Sequence, residues 1–480
     1  MLKTLSVALL GMLLCAGSTL ASSAERARPR VIVVTDIGNE PDDSESMVRF
    51  LVYSNEFDVE GLIATTSTWL RHAVRPEMIA ERIHAYGKVL PNLRVHAKGY
   101  PSEQYLLDHL KAGKPLYGME GIGANGADDA SRLIIAAVDR PDPRPVWVII
   151  WGGARELAQA LWTVQHTRKP EAVARFVSKL RVYSISDQDD AGPWARANFP
   201  KLFWIASVHA FDQYALATWP GVSAPLPGSD QSEVSKTWIA DNIQNKGPLG
   251  ALYPTPEFLM EGDTGSQLYL FQNGLNSPGH PDWGGWGGRY GLIGPALGLW
   301  TDTVDAVRGT DGKTVRSNQA TIWRWRDAYQ NDFAARLLWS VTPNYAGANH
   351  NPELVLNGVP GIAPLELTAC AGDPVSLSAK GTHDPDGNNI TYHWWQYREA
   401  SGVLNPQSIT ISNPDGEETT VTVPVAVKPA ANVDIPKEVS YHVILEVRDN
   451  GTPPLTSYRR AIIMVPSIGT KDAVAHNCAR

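Results

Sequence analysis

At 480 residues, 43% of them apolar, the chain can build two or three domains with sizeable cores. Its net charge of −8, with no basic run, argues against nucleic-acid polymers and anionic membranes as partners. Only 19% of residues are charged, whereas 16 are Trp, 41 Gly and 35 Pro, a balance that points to a loop-rich exported protein.

The first 21 residues read as a secretory signal. Lys3 supplies the positive end, and the apolar stretch over residues 5–14 is too short to span a bilayer. Small residues allow cleavage after Ala21 or Ala24, and Leu14 ahead of Cys15 disfavours lipidation. No later stretch is apolar enough to cross a membrane, so a secreted or periplasmic protein is expected. Removing the signal leaves Cys370 and Cys478, which in an oxidising compartment are expected to pair.

Residues 31–34 form a β-branched strand that runs straight into a loop holding Asp36, Asp42 and Asp43. Ser44 and Glu45 then precede Met47, Val48, Phe50 and Leu51, a helix-start pattern. Further strands are expected at 59–66, 93–97, 146–151, 180–185 and 202–206. Between them, residues 76–86, 128–138 and 154–162 repeat apolar side chains at three and four. This alternation gives a doubly wound α/β domain with a mostly parallel sheet, over residues 28–345. After Ser207 the rhythm weakens into Gly-, Pro- and Trp-rich excursions, and a final helix at 318–339 packs back on the domain. Residues 342–352 are polar and turn-rich and read as a flexible linker. Beyond it the alternating runs at 374–378, 390–397, 419–423, 439–447 and 459–465 are separated by turns such as HDPDGNN and DNGTPP. They describe an all-β, immunoglobulin-like sandwich over 352–480.

Three carboxylates at the carboxyl end of one strand repel one another. A hard cation such as Ca²⁺, with six to eight oxygen ligands, removes that repulsion. Open parallel sheets bind ligands at this edge, so the three acids mark a metal or catalytic site more than a helix N-cap.

The segments TDIGNEPDD after the first strand, GLIATTST at the second and VIIWGGARELAQAL further on, in that order, resemble the inosine-uridine nucleoside hydrolase superfamily. The likeness covers about residues 30–345 and is strongest to the secreted branch known from cellulose-binding proteins of polysaccharide-degrading bacteria. EGDTGSQLYL and NGLNSPGHPDWGGWGGRYG look characteristic of that branch. The resemblance implies one Ca²⁺ held by Asp36, Asp43, the Trp151 carbonyl and Asp263, with Asp42 reaching the sugar hydroxyls. It implies that Ca²⁺ holds water and two ring hydroxyls while Asp36 takes the proton, through an oxocarbenium-like state. This chain departs from the pattern in three places. The first loop carries two extra residues, the family's first aspartate is replaced by Val34, and Gly262 stands where a histidine often precedes the late aspartate. The last change removes an acid for a departing base and leaves room for a sugar or other alcohol.

Asp187 and Asp189, with Gln188 and Asp190, follow another strand and are read as ligand contacts, against a helix N-cap. Asn39 and Glu40, in the lengthened loop, are read as sugar contacts. Trp286, in the Gly-rich run 284–288, offers a face for a sugar ring, as do Trp69, Trp194 and Trp283 in other loops. Asp384, Asp386 and Asn388 have calcium-loop spacing but read as a hairpin turn. Of Trp394 and Trp395, strand alternation turns one inward and one outward.

The leading expectation is a secreted, Ca²⁺-dependent hydrolase of glycosyl bonds, N- or O-linked. Its substrate would be a nucleoside, a glycan fragment or a polysaccharide. The rival is a carbohydrate-binding protein that keeps the metal site without turnover. A two-metal phosphoesterase is weakened by the scarcity of histidine in these motifs. The oligomeric state is not legible.

Overall fold

The computed structural model describes residues 27–294, 296–401, 407–424, 438–467 and 478, so the signal segment lies outside the described residues. In chain order the first domain runs β1 (Arg30–Thr35), α1 (Asp42–Val52), β2 (Asp58–Ala64), α2 (Pro76–His96), α3 (Glu103–Asp108), β3 (Leu110–Ala112) and α4 (Asp129–Asp139). It continues with β4 (Val146–Ile150), α5 (Arg155–Thr167), α6 (Pro170–Ser178), β5 (Leu180–Ser186), α7 (Ala191–Asn198), β6 (Phe203–Ser207), β7 (Tyr290–Leu292) and β8 (Leu299–Asp302).

The sheet order is β3-β2-β1-β4-β5-β6-β8-β7, parallel except for the β7–β8 edge pair. Its strands are apolar on both sides because both faces are covered. In β1, Val31 and Val33 enter the core shared with α1 and α2, and Ile32 and Val34 enter the core shared with α4, α5 and α7. The order in which successive strands are added reverses between the parallel neighbours β1 and β4, and in such sheets a crevice opens outside the carboxyl ends at that point. Asp36 leaves β1 there and Trp151 leaves β4.

Two expected elements differ. The strand at 93–97 is instead the last turn of α2, where Ile79, Ile83, Tyr86, Leu90 and Leu93 form one buried helical stripe. Pro91 looks like a breaker but sits inside this helix. The edge strand is the three-residue β3, too short to announce itself. The last helix of the domain is split, Ala320–Trp323 and Arg326–Val341, by a non-helical Trp325.

The C-terminal region is a two-sheet sandwich. Strands Leu365–Thr368, Thr456–Pro466, Glu438–Asp449 and Ile390–Gln396 form one sheet, and Pro374–Ser378, Glu418–Thr422 and Thr410–Ile411 the other. Cys370 and Cys478 form the expected disulfide, closing a 108-residue separation. The larger sheet has two dry faces. Trp394, Val443 and Leu445 fill the sandwich, while Tyr397, Ile444 and Tyr458 join the core of the first domain. Trp395, the outward Trp, packs against Trp325 rather than offering itself to a polysaccharide.

The linker is likewise packed, not a free hinge. His350 and Asn349 are buried, and Asn349 donates to Asp449 Oδ1 at 3.0 Å. His96 Nε2 meets the Thr342 carbonyl at 2.8 Å, His96 Nδ1 meets His350 Nε2 at 3.0 Å, and His350 Nδ1 meets Asp386 at 3.0 Å. This line of contacts runs from His96 of α2 through His350 of the linker to Asp386 of the sandwich, and so clasps the two domains. His350→Ala should lower stability by about 1–3 kcal/mol, the loss on leaving buried partners unsatisfied, and open residues 344–351 to limited proteolysis. An unchanged melting curve with an intact linker would contradict this.

Candidate metal and substrate site

β1 ends in Thr35, whose hydroxyl donates to Asp43 Oδ1 and accepts from the Ile37 amide. The lengthened loop then returns the chain so that Asp42 and Asp43 open α1. The ligand atoms of Asp42, Asp43 and Asp263 all lie within 4.8 Å of one another. Asp36 adjoins this group through Asp43, with Ser67 as a further hydrogen-bond partner. It packs against Gly152, where a Cβ would meet Asp36 Oδ1 at 2.5 Å. The structure thus puts Asp42, expected on the sugar, into the converging acids, and leaves Asp36 beside them.

Burial governs the charges here. Asp36 is raised above its ordinary value chiefly by burial. Asp42 is pushed up to about 7 by burial and then by Glu40 and Asp36. Asp43 and Asp263 are raised further, by burial first and then by neighbouring aspartates. Four such acids cannot all ionise without a cation. Asp263 Oδ2 is buried without a hydrogen-bond partner among the described residues. An all-oxygen donor set with an unpaired buried oxygen fits a hard divalent cation. The Trp151 carbonyl, expected as a further ligand, already accepts from the Gln188 amide at 2.6 Å.

Asp263 reaches the site from a loop held elsewhere. Arg49 of α1 donates to Glu261 at 2.5 and 3.2 Å, with both side chains fully buried. The Glu261 amide donates to Glu45 Oε2 at 2.7 Å, and the residue adopts the left-handed conformation, φ 55. At Gly262 a Cβ would stand 2.5 Å from Asp42 Oδ2 and 3.3 Å from the Trp219 ring. Residue 262 cannot carry a side chain while Asp42 points inward.

A cavity of about 230 Å³ opens above the acids. Asn39 and Glu40 line it, as expected, together with Trp69 and Gln188. Tyr214, Trp219 and Phe258 line it without having been anticipated, although QYALATWP follows a sheet strand and PEFLM precedes Asp263. Asp187 and Asp189 do not line it. Asp187 forms a two-pronged ion pair with Arg196, at 2.8 and 2.5 Å. Asp189 accepts from the Ala154 and Ala191 amides at 2.9 and 3.0 Å, a structural cap. Trp286 is also elsewhere, buried among Phe271, Tyr329 and Tyr458 where the domains meet. Its glycines serve close packing, since a Cβ on Gly287 would lie 2.4 Å from Tyr269 Cα. Gly262→Ala should displace Asp42 and weaken divalent-cation binding at least tenfold in calorimetry, with the circular dichroism spectrum unchanged. Equal affinity in the variant would refute this reading of Gly262.

Residues 30–290 match the family described as cellulose-binding Sde182, nucleoside hydrolase-like domain. Residues 374–465 match the C-terminal domain of cellulose-binding protein Sde0182. Among solved structures the chain is similar to a nucleoside hydrolase-related hypothetical protein from Saccharophagus degradans that is associated with carbohydrate metabolism. Identity is 38%, covering 92% of this chain and 100% of that one, with a TM-score of 0.76. A fainter likeness, to the effector protein XOO4466, has 10% identity and a TM-score of 0.31 over 67% of this chain and 94% of that one. No curated protein matches. Two family models in chain order and a relative 38% identical over 92% of the chain agree, and the chain belongs to the Sde182 family, cellulose-binding proteins with a nucleoside hydrolase-like domain.

Proposed function

We propose that the protein is a secreted, Ca²⁺-dependent hydrolase of glycosyl bonds acting on a furanoside. The carrying observation is the buried convergence of Asp42, Asp43 and Asp263 beside Asp36, under a cavity walled by aromatic rings. The carbohydrate association of its 38%-identical relative supports the same class of ligand. A bound Ca²⁺ would supply the positive charge that lets these acids ionise and would hold water and vicinal hydroxyls in reach. Ionised Asp36 then takes a proton from the attacking water. The carboxylates around the anomeric carbon stabilise the positive charge that grows there. Asn39, Glu40 and Gln188 are placed to read hydroxyls, and Trp219 and Tyr214 to stack on the leaving group. The family's description favours one second reading, a protein that binds sugar at this site without cleaving it.

Asp263→Asn should lose Ca²⁺ binding in calorimetry, and turnover with it, while Asp36→Asn should lose turnover more than metal. Undiminished Ca²⁺ affinity after Asp263→Asn would refute the assignment.

The pH dependence has a definite sign. The Asp42 carboxyl moves from 3.8 to about 7 in the folded, metal-free protein, so folding binds a proton that the unfolded chain has released. Its contribution to stability is complete below about pH 4 and is lost as pH rises through about 7. Metal-free protein should therefore lose thermal stability between about pH 4 and pH 7, and saturating Ca²⁺ should abolish that loss.

Among the described residues, no Lys, Arg or His lines the cavity. General-acid assistance is worth about 10²–10⁴ in rate. A nitrophenyl furanoside, whose leaving group departs unprotonated, should outpace inosine by a factor in this range. Comparable rates would mean that another group donates the proton.

A further inference from the structure

The cavity above the acids is small and closed at its floor, while its mouth is broad and greasy. About 230 Å³ is below the range of a typical ligand cleft and holds little more than one sugar ring. From the floor outward the rings run in contact. Trp219 is 5.8 Å from Tyr214, Tyr214 is 6.4 Å from Trp69, and Trp69 stacks on Phe211 at 6.1 Å and 28°. Trp219 is fixed in place, because its indole donates to Ser186 Oγ at 3.0 Å and Ser186 is held by His209 at 2.8 Å. The outer rings are open to solvent, with Trp69 at 44%, Phe211 at 66% and Phe258 at 81% exposure. They come from three loops at one sheet edge, after β2, after β6 and ahead of Asp263. A single sugar or nucleobase cannot cover such a surface.

Charge narrows the occupant. Five carboxyl groups line the cavity: Asp36, Glu40, Asp42, Asp43 and Asp263. Glu257 faces Glu40, and Asp212 faces Tyr214. One divalent cation offsets only two of these charges. Phosphate- or carboxylate-bearing ligands are repelled, whereas a neutral sugar offers hydroxyls to the acids and C–H faces to the rings.

Resting on the hydrolase reading above, we infer that the site takes the terminal sugar of a neutral glycan chain end-on, with the following units lying across the collar of Trp69, Phe211 and Phe258. Cleavage is then exo. The terminal glycosidic C–O bond breaks, the water oxygen bonds the anomeric carbon, and one water proton ends on the released chain oxygen. The other remains on the new anomeric hydroxyl.

The test uses the full chain with Ca²⁺ and linear neutral arabino-oligosaccharides and cello-oligosaccharides of two to five units, with oligogalacturonates as charged controls. The monosaccharide should be the only small product, and KM should fall with chain length. In the double variant Phe211→Ser, Phe258→Ser, KM for the longest oligomer should rise about tenfold. Internal fragments, KM independent of length, or equal use of oligogalacturonate would overturn the inference while leaving the hydrolase reading intact. If no oligomer is cleaved, tryptophan-fluorescence titration with the same oligomers decides it separately. Tighter binding of longer neutral chains, lost in the double variant, upholds the docking surface and sinks the hydrolase. A wild-type dimer that dissociates in the double variant would assign the collar to a second copy of this chain.

Discussion

The geometry of the acid site rests on a contact that touches no ligand, the buried pair Arg49–Glu261. Asp42 and Asp43 start α1, and Arg49 lies on the same helix. By seizing Glu261, which is fully buried, it draws in the loop whose next residues are Gly262 and Asp263. Tyr253 donates to the same carboxylate, and the Gln330 amide oxygen accepts from Arg49, so neither charge is stranded. Breaking such a pair from one side costs about 3–5 kcal/mol, because the other charge remains buried. The left-handed Glu261 is strain of about 1–3 kcal/mol, tolerated because its surroundings over-determine it. A loop that wandered by a single ångström would dissolve the convergence of Asp263 with Asp42 and Asp43.

That convergence is electrostatically unfavourable in the metal-free fold, and its cause is burial more than mutual repulsion. For Asp36, Asp42, Asp43 and Asp263 alike, desolvation is the largest contribution to the raised affinity for protons. A site built this way favours protons on its carboxyls, and a cation there, as proposed above, would compete with those protons and so link its affinity to pH. The same desolvation strengthens any field the carboxylates exert on a substrate that develops positive charge.

The C-terminal sandwich is a structural partner more than an appended module. One of its sheets is covered on both faces, and Tyr397 donates to Asp305 at 2.6 Å while Asp305 pairs with Arg289 and Arg324. Arg460 reaches across to the Leu275 and Gly284 carbonyls at 3.0 and 2.9 Å. Trp286, Trp325 and Trp395 are spent on this junction. Aromatic richness in the sequence thus divides into two uses, a dry domain interface and a wet collar at the acid site.

Strand periodicity, the acid loop after β1 and the change of grammar past residue 342 were legible in the chain itself, because alternation and β-branching follow local backbone geometry. The cluster of Asp36, Asp42, Asp43 and Asp263 was legible as a set, and so was the pairing of Cys370 with Cys478. Their roles within the set were not. Which of Asp36 and Asp42 lies closest to Asp43 and Asp263 depends on how the loop after β1 folds back, a matter of a few ångströms that spacing does not encode. Asp187 and Asp189 looked identical in sequence to ligand contacts, and only the approach of Arg196 and the amides of α5 and α7 made them structural. Trp286 and Tyr214 sit in equally aromatic loops, yet long-range packing buries the first between domains and opens the second to the cavity. Sequence by itself determined which residues could carry the chemistry, since that follows from side-chain type beside a strand end. Tertiary structure decided which of them meet, since that follows from contacts such as Arg49–Glu261 between residues far apart in the chain.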